Sequence, residues 1–550
     1  MTVRIGNASG FYGDRLSAVR EMLTGGPLDY LTGDYLAELT MLILGRDRMK
    51  DASRGYARTF LRQLEDTLDI ALERGVRIVA NAGGLNPAGL AAAIRELNPH
   101  VKVAHVEGDD LLDRGFDGAL TANAYLGCWG IVECLDAGAD VVVTGRVTDA
   151  SLVVAPAAHH FGWGRDDVDR LAGATVAGHV IECGTQATGG NFAFFTEIAD
   201  LTHPGFPIAE IDEDGSSVIT KHDGTGGAVT VDTVRAQLLY EIAGPRYLGP
   251  DVTSRFDSIR LTQDGPDRVR IDGVTGEAPP DTLKVCVNTL DGFRNSMTFV
   301  LCGLDVDAKA ALVRRQLENT LGADGLEWTL ARTDHPDADT EEAASALLHV
   351  TIRTPDPKRA KAFSRAAVEL ALASYPGFTL TSPPGDGSPV GVYRPEYVPQ
   401  DAVEHVAVLP DGTRTTIAPP AVTAVAPVDT PGDDSPIPGG PTKRVPLGTI
   451  VGARSGDKGG GANLGVWVRD PAAYPWLAAE LTVDRVRELL PEAKDLDIER
   501  FPLPNLTAVN FVFHGLLGKG VAASSRFDPQ AKSLGEWLRS RHVDIPEDLL

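Results

Sequence analysis

The first half of the chain alternates short apolar runs with stretches of helical periodicity. The apolar runs are VRIGNAS from Val3, LDYLTG from Leu28, VRIVANAGG from Val76, VKVAHVEGDD from Val101 and ADVVVTGRVTDAS from Ala139. Pro87 stands in the first turn of the clearest helix, a position that suits proline. Nearly continuous apolar strands separated by helices are typical of a parallel sheet covered on both faces. The pattern predicts an α/β fold with a doubly wound, mostly parallel sheet.

The pattern becomes less regular after about residue 178. SIRLTQDG, RVRIDGV and TLKVCVNTLDGF alternate like antiparallel strands, and AKAALVRRQLENTL and KRAKAFSRAAVELALASY have helical periodicity. They predict an appended α+β subdomain at about 252–417, within a first domain of residues 1–417. Residues 418–446 are rich in Pro, Gly and Asp, which predicts a linker. The order of elements in residues 447–550 predicts a separate, small ferredoxin-like α+β domain.

Composition and charge narrow the classes of partner. A chain of 550 residues is longer than a single hydrophobic core can organise, so we expect several folding units. A net charge of −25 without any Lys/Arg-rich run argues against nucleic-acid and anionic-membrane partners. The five cysteines include no CxxC pair, and no signal peptide or membrane span is apparent. We therefore expect a cytoplasmic protein, and a homo-oligomer is the default for such a chain.

Glycines and small polar residues follow each predicted strand of the first domain. In an open parallel sheet, ligands bind beyond the carboxyl ends of the strands, where glycines allow close backbone approach. The pattern therefore predicts a ligand-binding edge. The candidate ligand contacts are Asn7, Ser9, Gly10, Asp34, Asn81, Gly83, Gly84, Asn86 and Gly145. The alternative for each loop is an ordinary turn or helix cap, which uses the same residue types.

Two candidate catalytic residues lie at the last of these junctions. Arg146 can clamp a carboxylate or phosphate, and Asp149, three residues later, can act as a base. The alternative is a helix-capping Asp paired with a nearby Arg. Cys183 precedes a glycine turn, which makes it a candidate nucleophile. Its alternative is a small buried apolar side chain.

Further candidates lie in glycine-rich loops. His222, flanked by Lys221 and Asp223, is a candidate acid/base or phosphate contact, with a plain hairpin turn as the alternative. A second turn adds the ligand-contact candidates Gly189, Gly190 and Asn191. No loop matches a Walker A or Rossmann fingerprint, so no nucleotide cofactor is predicted. The pair His159-His160 lacks an acid at ligand spacing, and no metal site is predicted.

The run RSGDKGGGAN near the C-terminus combines three consecutive glycines with both signs of charge. We expect a mobile loop with free amides that contacts a ligand or docks the domains. The alternative is a long exposed turn. Its candidate ligand contacts are Arg454, Ser455, Asp457, Lys458 and Asn463.

Several of these motifs together resemble the acyclic terpene utilisation (AtuA) family. They are RIGNASGFYGDR, LDYLTGDYLAELTM, ANAGGLNP, VVVTGRVTDASL, HVIECGTQATGGNF and RSGDKGGGANLGVWVR, and they extend over nearly the whole chain outside the predicted linker. The family combines a large N-terminal domain with a small ferredoxin-fold domain. The resemblance implies a place in acyclic terpene catabolism, where substrates are CoA thioesters processed alongside a biotin-dependent acyl-CoA carboxylase. It implies neither a reaction nor catalytic residues.

We therefore expect an enzyme that acts on a branched or acyclic-terpene-derived acyl-CoA or carboxylic acid. Hydration, proton transfer and thioester hydrolysis are the candidate reactions, with a small-molecule substrate and CoA only as its carrier. One alternative is a non-catalytic accessory partner of an acyl-CoA carboxylase pathway. Another is a metal-dependent phosphohydrolase that uses the acidic loops.

Overall fold

The computed structural model of the chain describes residues 1–425, 427 and 440–550. These residues group into two compact units, which we describe one at a time. The first unit comprises Met1–Asn288, Tyr393–Val521 and Asp528–Leu550. The second comprises Thr289–Val392 and Ala522–Phe527.

The first unit begins with alternating strands and helices, as the apolar pattern predicts. They are β1 (Thr2–Asn7), α1 (Ala18–Gly25), β2 (Tyr30–Gly33), α2 (Glu38–Lys50), α3 (Arg58–Glu65), α4 (Leu68–Arg74), β3 (Arg77–Ala80), α5 (Pro87–Leu97), β4 (Val103–Glu107), β5 (Thr121–Ala124), α6 (Trp129–Asp136), β6 (Val141–Thr144), α7 (Ser151–Phe161) and α8 (Val168–Ile181). Mostly short strands follow, namely β7 (Pro207–Asp212), β8 (Ser217–Lys221), α9 (Val231–Leu238), β9 (Arg246–Leu248), β10 (Thr253–Arg255), β11 (Arg260–Gln263), β12 (Val269–Asp272), β13 (Thr275–Glu277) and the long β14 (Thr282–Cys302), which continues into the second unit.

The second unit is an antiparallel sheet with two helices. Its elements are the second half of β14, α10 (Val306–Leu321), β15 (Leu326–Ala331), β16 (Ser345–Thr354), α11 (Pro357–Glu369), β17 (Thr379–Leu380) and the first part of β18 (Ser388–Pro399). The strand order is β15-β16-β14-β17. Leu301, Leu317 and Phe363 belong to the core that joins sheet and helices. This region confirms the two amphipathic helices that the sequence predicts.

The remaining elements return to the first unit. They are β19 (His405–Val408), β20 (Arg414–Ile417), β21 (Thr442–Pro446), β22 (Val451–Lys458), β23 (Gly461–Val468), α12 (Tyr474–Glu480), α13 (Val483–Leu489), β24 (Ile498–Leu503), β25 (Ala508–Phe513), α14 (Leu534–Ser540) and β26 (His542–Pro546). Strands β22–β25 form an antiparallel sheet in the order β22-β23-β25-β24. Trp476 and Leu538 lie in the core beneath it.

The large sheet of the first unit is mixed. Its order is β11-β12-β8-β7-β1-β2-β3-β6-β4-β19-β20, and only β1, β2, β3, β6 and β4 pair in parallel. In β6, Val141 and Val143 belong to one hydrophobic core and Val142 to another, so this strand is buried on both sides. The prediction of a mostly parallel sheet is confirmed for these five strands but not for the whole sheet. Several flanking strands are joined by short turns, as between β7 and β8, and these permit only antiparallel pairing.

The run from Arg454 to Asn463 is a hairpin rather than the predicted mobile loop. Strands β22 and β23 pair up to Lys458 and Gly461, which leaves only two glycines in the turn. A Cβ at Gly460 would lie 2.3 Å from the Gly518 carbonyl oxygen, and one at Gly461 would lie 2.5 Å from the Phe513 oxygen. The glycines therefore serve close backbone packing.

The predicted boundaries of the linker and of the subdomain stay predictions. The predicted linker 418–446 includes residues 426 and 428–439, which lie outside the described residues. Its last five residues form β21, which pairs with β26. The predicted subdomain begins at about residue 252, whereas the second compact unit begins at Thr289. In the part of the chain that the structure describes, no helix combines the length and apolarity needed to cross a membrane.

Candidate functional site

The ends of β1, β2 and β3 are tied together by polar contacts. The Asp34 amide donates to the Ser9 carbonyl oxygen (2.9 Å). Asn81 Nδ2 donates to Asp34 Oδ1 (2.5 Å), and Asn81 Oδ1 accepts from the Tyr35 amide (2.7 Å). Asp34 and Asn81 are both buried. These candidate residues thus converge at one edge of the sheet, as carboxyl ends of neighbouring parallel strands do.

Arg146 and Asp149 join the same edge from the end of β6. The Arg146 side chain is 3% exposed, and its Nη2 lies 3.0 Å from Asp149 Oδ1. Arg146 Nη1 donates to the Leu36 carbonyl oxygen (2.8 Å), and its guanidinium lies 4.3 Å from the centre of the Tyr125 ring. The Arg146 amide donates to Asp109 Oδ2 (2.8 Å), which fixes the turn after the strand. The guanidinium is therefore held rigidly beside the Asp149 carboxyl.

The end of α8 adds a second carboxyl. Asn7 Nδ2 donates to the carbonyl oxygens of Ile181 (2.6 Å) and Glu182 (2.9 Å), so β1 positions this helix end. Glu182 Oε1 lies 3.1 Å from His179 Nδ1, and both side chains are buried. Glu182 Oε2 has no hydrogen-bond partner within the described residues. A buried, unpartnered carboxyl oxygen is costly unless the group carries a proton or meets a ligand.

Burial controls the protonation of this cluster. The pKa of Asp34 is raised well above its ordinary value, first by burial and then by the charge of Asp149. Burial and then Asp149 likewise raise the pKa of Glu182, and burial raises the pKa of Asp149 itself. Burial lowers the pKa of His179 to about 4, so its imidazole is neutral at pH 7. Arg146 opposes these increases but is a single cation among three carboxyls.

An ion pair lies near Arg146, between α2 and β14. Tyr125 Oη donates to Glu38 Oε1 (2.8 Å), and Lys284 Nζ lies 3.4 Å from the same oxygen. Burial favours the neutral form of Glu38, but Lys284 and then Arg146 outweigh it and lower its pKa to about 2. Glu38 is therefore ionised at neutral pH.

The C-terminal hairpin docks beside this region. Lys458 Nζ donates to the Glu241 carbonyl oxygen (2.7 Å), and Asn463 Oδ1 accepts from the Glu241 amide (2.7 Å). Asn463 Nδ2 also donates to the Leu239 carbonyl oxygen (2.8 Å). Glu241 has a φ of 58°, a left-handed conformation that is costly for a residue with a side chain. The hairpin contacts hold Glu241 in this conformation.

The other hairpin candidates also make structural contacts. Arg454 hydrogen-bonds Gln186, and its guanidinium lies 4.2 Å from the centre of the Tyr240 ring. Ser455 Oγ accepts from the Gly535 amide (2.9 Å). Burial, and then Glu241, raise the pKa of Asp457 to about 8.

Water reaches one side of the cluster. The side chains of Asp149, Glu38 and Lys284 are 27%, 28% and 35% exposed, and Lys458 is exposed. The side chains of Arg146 and Glu182 are only 3% and 8% exposed. The cluster therefore has a partly exposed rim and a buried side. We call this set the Arg146 cleft: Asp34, Glu38, Arg146, Asp149, His179, Glu182, Glu241, Lys284, Asp457 and Lys458.

Two predicted catalytic residues have a different setting. Cys183 follows Glu182, and burial followed by the Glu182 charge raises the pKa of its thiol well above the ordinary value. A protonated thiol is a poor nucleophile. His222 lies apart from the cleft, where its Nε2 contacts the Met22 carbonyl oxygen (2.9 Å) and its ring packs against Gly25 and Gly26. Catalysis by either residue stays a prediction.

The remaining candidates shape the backbone around the edge. Asn86 caps α5, because its Oδ1 accepts from the Gly89 amide (2.9 Å). A Cβ at Gly10 would lie 2.5 Å from the Cys183 carbonyl carbon, one at Gly83 2.5 Å from the Thr144 oxygen, and one at Gly145 2.3 Å from the Asp109 carboxylate. Gly84, Gly189 and Asn191 have positive φ, and Gly190 packs near the Thr185 carbonyl oxygen. Their ligand contacts stay predictions.

Several residues of the cleft were not singled out as site candidates from the sequence. His179 and Glu182 lie three apart at a helix end, and this spacing was a usable signal. Glu38 lies in the motif LDYLTGDYLAELTM, but nothing in the sequence shows that it approaches Glu241 and Lys284, since the three meet only through the fold. The structure brings no three His, Cys, Asp or Glu side chains of residues 1–425, 427 and 440–550 into an arrangement that could hold a metal ion.

Comparison with models of known protein families identifies the family of the chain. The model of the acyclic terpene utilisation family protein AtuA matches residues 3–409, and that of the AtuA ferredoxin-like domain matches residues 445–544. The second match identifies the C-terminal sheet and its helices as the predicted ferredoxin-like domain. No curated protein matches the chain. Because the first match covers well over half of its length, the chain belongs to the acyclic terpene utilisation family AtuA.

Proposed function

We propose that the chain is an enzyme that moves protons on a branched or acyclic-terpene-derived acyl-CoA or carboxylic acid, as in hydration. The observation that supports this most is the Arg146 cleft. Three carboxyls with raised pKa surround one guanidinium, and one of them, Asp149, is reachable from the solvent. Perturbed carboxyls of this kind are typical of acid–base sites. Family membership adds the place in acyclic terpene utilisation.

Two of the three carboxyls act as the base and the acid. Asp149 lies 3.0 Å from Arg146, which favours its ionised form, so it is the base that contacts substrate or water. Glu182, which has an unpartnered oxygen, is the neighbouring acid. In a hydration, Asp149 takes a proton from a water molecule while the oxygen of that water bonds to the β-carbon of the unsaturated substrate. The α-carbon then takes a proton from Glu182. The proton on Asp149 afterwards returns to Glu182 through solvent, so that water is added overall and both carboxyls regain their starting states.

Thioester hydrolysis through Cys183 is less well supported. Attack on a thioester requires the thiolate, and the raised pKa keeps this sulfur protonated. CoA in our proposal is a carrier of the substrate and takes no part in the chemistry. A cytoplasmic homo-oligomer and a carboxylase-pathway partner remain predictions from the sequence.

Deuterium exchange tests the proposal. The full chain is incubated in D₂O with saturated and unsaturated branched acyl-CoA thioesters, and deuterium in the acyl chain is measured by mass spectrometry. We expect exchange or hydration for at least one thioester. Asp149→Asn should reduce the rate about 10²- to 10⁴-fold, the usual contribution of a general base.

Asp110→Asn is the matched control. Asp110 also follows a strand of the same sheet, but it is paired with Arg48 and its side chain is 38% exposed. This variant should keep the rate within about threefold, since surface ion pairs contribute little. If Asp149→Asn exchanged deuterium at the wild-type rate, the proposed base would be contradicted. If none of the thioesters underwent exchange or hydration, the accessory-partner alternative would be favoured.

A further inference from the structure

Lys284 and Gly459, the residue after Lys458, come from distant parts of the chain and meet the same tyrosine, Tyr393, beside the Arg146 cleft. Lys284 Nζ lies 4.8 Å from the centre of the Tyr125 ring and 5.7 Å from the centre of the Tyr393 ring. Gly459, next to Lys458, packs on that second ring, because a Cβ there would lie 3.1 Å from Tyr393 Cε1. Tyr393 thus contacts the strand that carries Lys284 and the hairpin that carries Lys458.

The two ammonium groups outnumber the ionised carboxylate beside them. Glu38 is ionised and pairs with Lys284. The acids near Lys458 are Asp457, whose pKa burial and then Glu241 raise to about 8, and Glu241, whose pKa burial raises. Crowding by neighbouring protein atoms and then repulsion from Lys284 lower the pKa of Lys458 to about 8, although the residue is open to solvent, and most of it is still protonated at pH 7. The local charge is therefore positive at neutral pH, although the chain as a whole is acidic.

Lys458 also has hydrogen-bonding capacity to spare. An ammonium group has three N–H donors. The bond from Lys458 to the Glu241 carbonyl oxygen uses one of them and supplies no compensating negative charge. The side chain is exposed, so a ligand in the cleft can reach the others. A bound oxyanion would satisfy these donors and relieve the repulsion between the two lysines.

We propose that Lys284 and Lys458 together bind an oxyanion of the substrate, a carboxylate or phosphate group, and that the ferredoxin-like domain thereby completes the substrate site. This inference rests on the proposed function, because it assigns the substrate-recognition end of the same cleft. It gives the C-terminal hairpin a role in recognition as well as in docking. It also separates recognition by the lysines from proton transfer by Asp149.

Calorimetric titration of the full chain at low ionic strength tests this subsite without turnover. Glutarate is the carboxylate probe, adenosine 3′,5′-bisphosphate is the phosphate probe, and neutral glutaramide is the control ligand. We expect one of the two anions to bind and glutaramide not to bind. Lys458→Gln and Lys284→Gln should each weaken binding about 10- to 100-fold, the loss expected for one charge-assisted hydrogen bond. Lys458→Arg should keep it within about threefold.

Lys494→Gln is the matched control, because Lys494 belongs to the same domain and its side chain is 71% exposed. It should leave binding unchanged. Binding of glutarate alone identifies a carboxylate site, and binding of the bisphosphate alone identifies a phosphate site. If neither anion binds, or if the binding anion binds folded Lys458→Gln as tightly as the wild type, the subsite is refuted. Probe binding by the lysine variants tests the subsite, and deuterium exchange in Asp149→Asn tests the base, so failure of the proposed base and failure of the subsite give different results.

Discussion

Two arginines of the first unit, Arg146 and Arg255, are each surrounded by carboxyl groups, with opposite consequences. Arg255 forms a bidentate pair with Asp257 (2.8 and 2.5 Å) and bonds Glu277 (2.7 Å). These three side chains are 28–33% exposed. The pKa of Glu277 is lowered, first by its hydrogen bond to Arg246. Arg146 is 3% exposed and faces carboxyls whose pKa values are raised.

Residue types alone therefore do not distinguish a salt bridge from an acid–base site. At Arg255, two arginines and two carboxylates balance, and water stabilises the charges that remain. At Arg146, burial dominates and carboxyls outnumber the guanidinium, so protons are retained. Burial and stoichiometry are therefore the reasons why we assign proton transfer to the Arg146 cluster in our proposal.

The largest expected difference concerns stability after the arginine is removed. Arg146→Gln should lower the free energy of unfolding by about 3–5 kcal/mol at pH 7, because the ionised Asp149 carboxylate loses the counter-charge 3.0 Å away. Arg255→Gln, its matched control, should cost about 0–1 kcal/mol, as exposed pairs do. Urea denaturation followed by circular dichroism measures both. Equal losses would mean that the two clusters do not differ as described.

A smaller effect concerns Asp109, which accepts hydrogen bonds from the Arg146 amide and Asn123 and whose pKa burial raises to about 7. The unfolded group titrates near pH 4, so the folded state binds more protons between these values. Stability from Asp109 is complete below pH 4 and is lost as pH rises through 7, by about 1.4 kcal/mol per pH unit.

Asp109→Asn should remove this dependence. Between pH 5 and pH 7 the wild type should therefore lose about 2–3 kcal/mol relative to the variant. The comparison is made by urea denaturation of both proteins at the two pH values. Parallel pH profiles would show that Asp109 is already ionised in the folded protein at pH 5.

The sequence predicted the centre of the sheet and part of the cleft. Continuous apolar runs such as Val141–Thr144 indicate strands buried on both faces, and the polar residues at their ends, including Arg146 and Asp149, do converge. The antiparallel flanks were missed because pairing across short turns depends on tertiary context. The approach of Glu38 to Lys284 was likewise invisible, since a helix and a distant strand meet only after folding.

The C-terminal hairpin shows the limit of reading composition. Three glycines between charged residues predicted a mobile loop. In the structure, Gly460 and Gly461 allow backbones to pack closely, and Gly459 packs against the Tyr393 ring. The residues against which these glycines pack lie more than 50 positions away in the chain, so no local pattern could reveal them. Ligand contact by this run stays a prediction, and Lys458 is the residue of the run that lies near Lys284.

Infrared difference spectroscopy tests most directly the claim that the Arg146 cleft holds protons at neutral pH. Protonated carboxyls have a C=O stretching band that carboxylates lack. At pH 7 the band of the wild type should weaken in Asp34→Asn and in Glu182→Gln and stay unchanged in Glu277→Gln. A spectrum in which neither Asp34→Asn nor Glu182→Gln removes intensity from that band would show ionised carboxylates around Arg146 and would contradict the account.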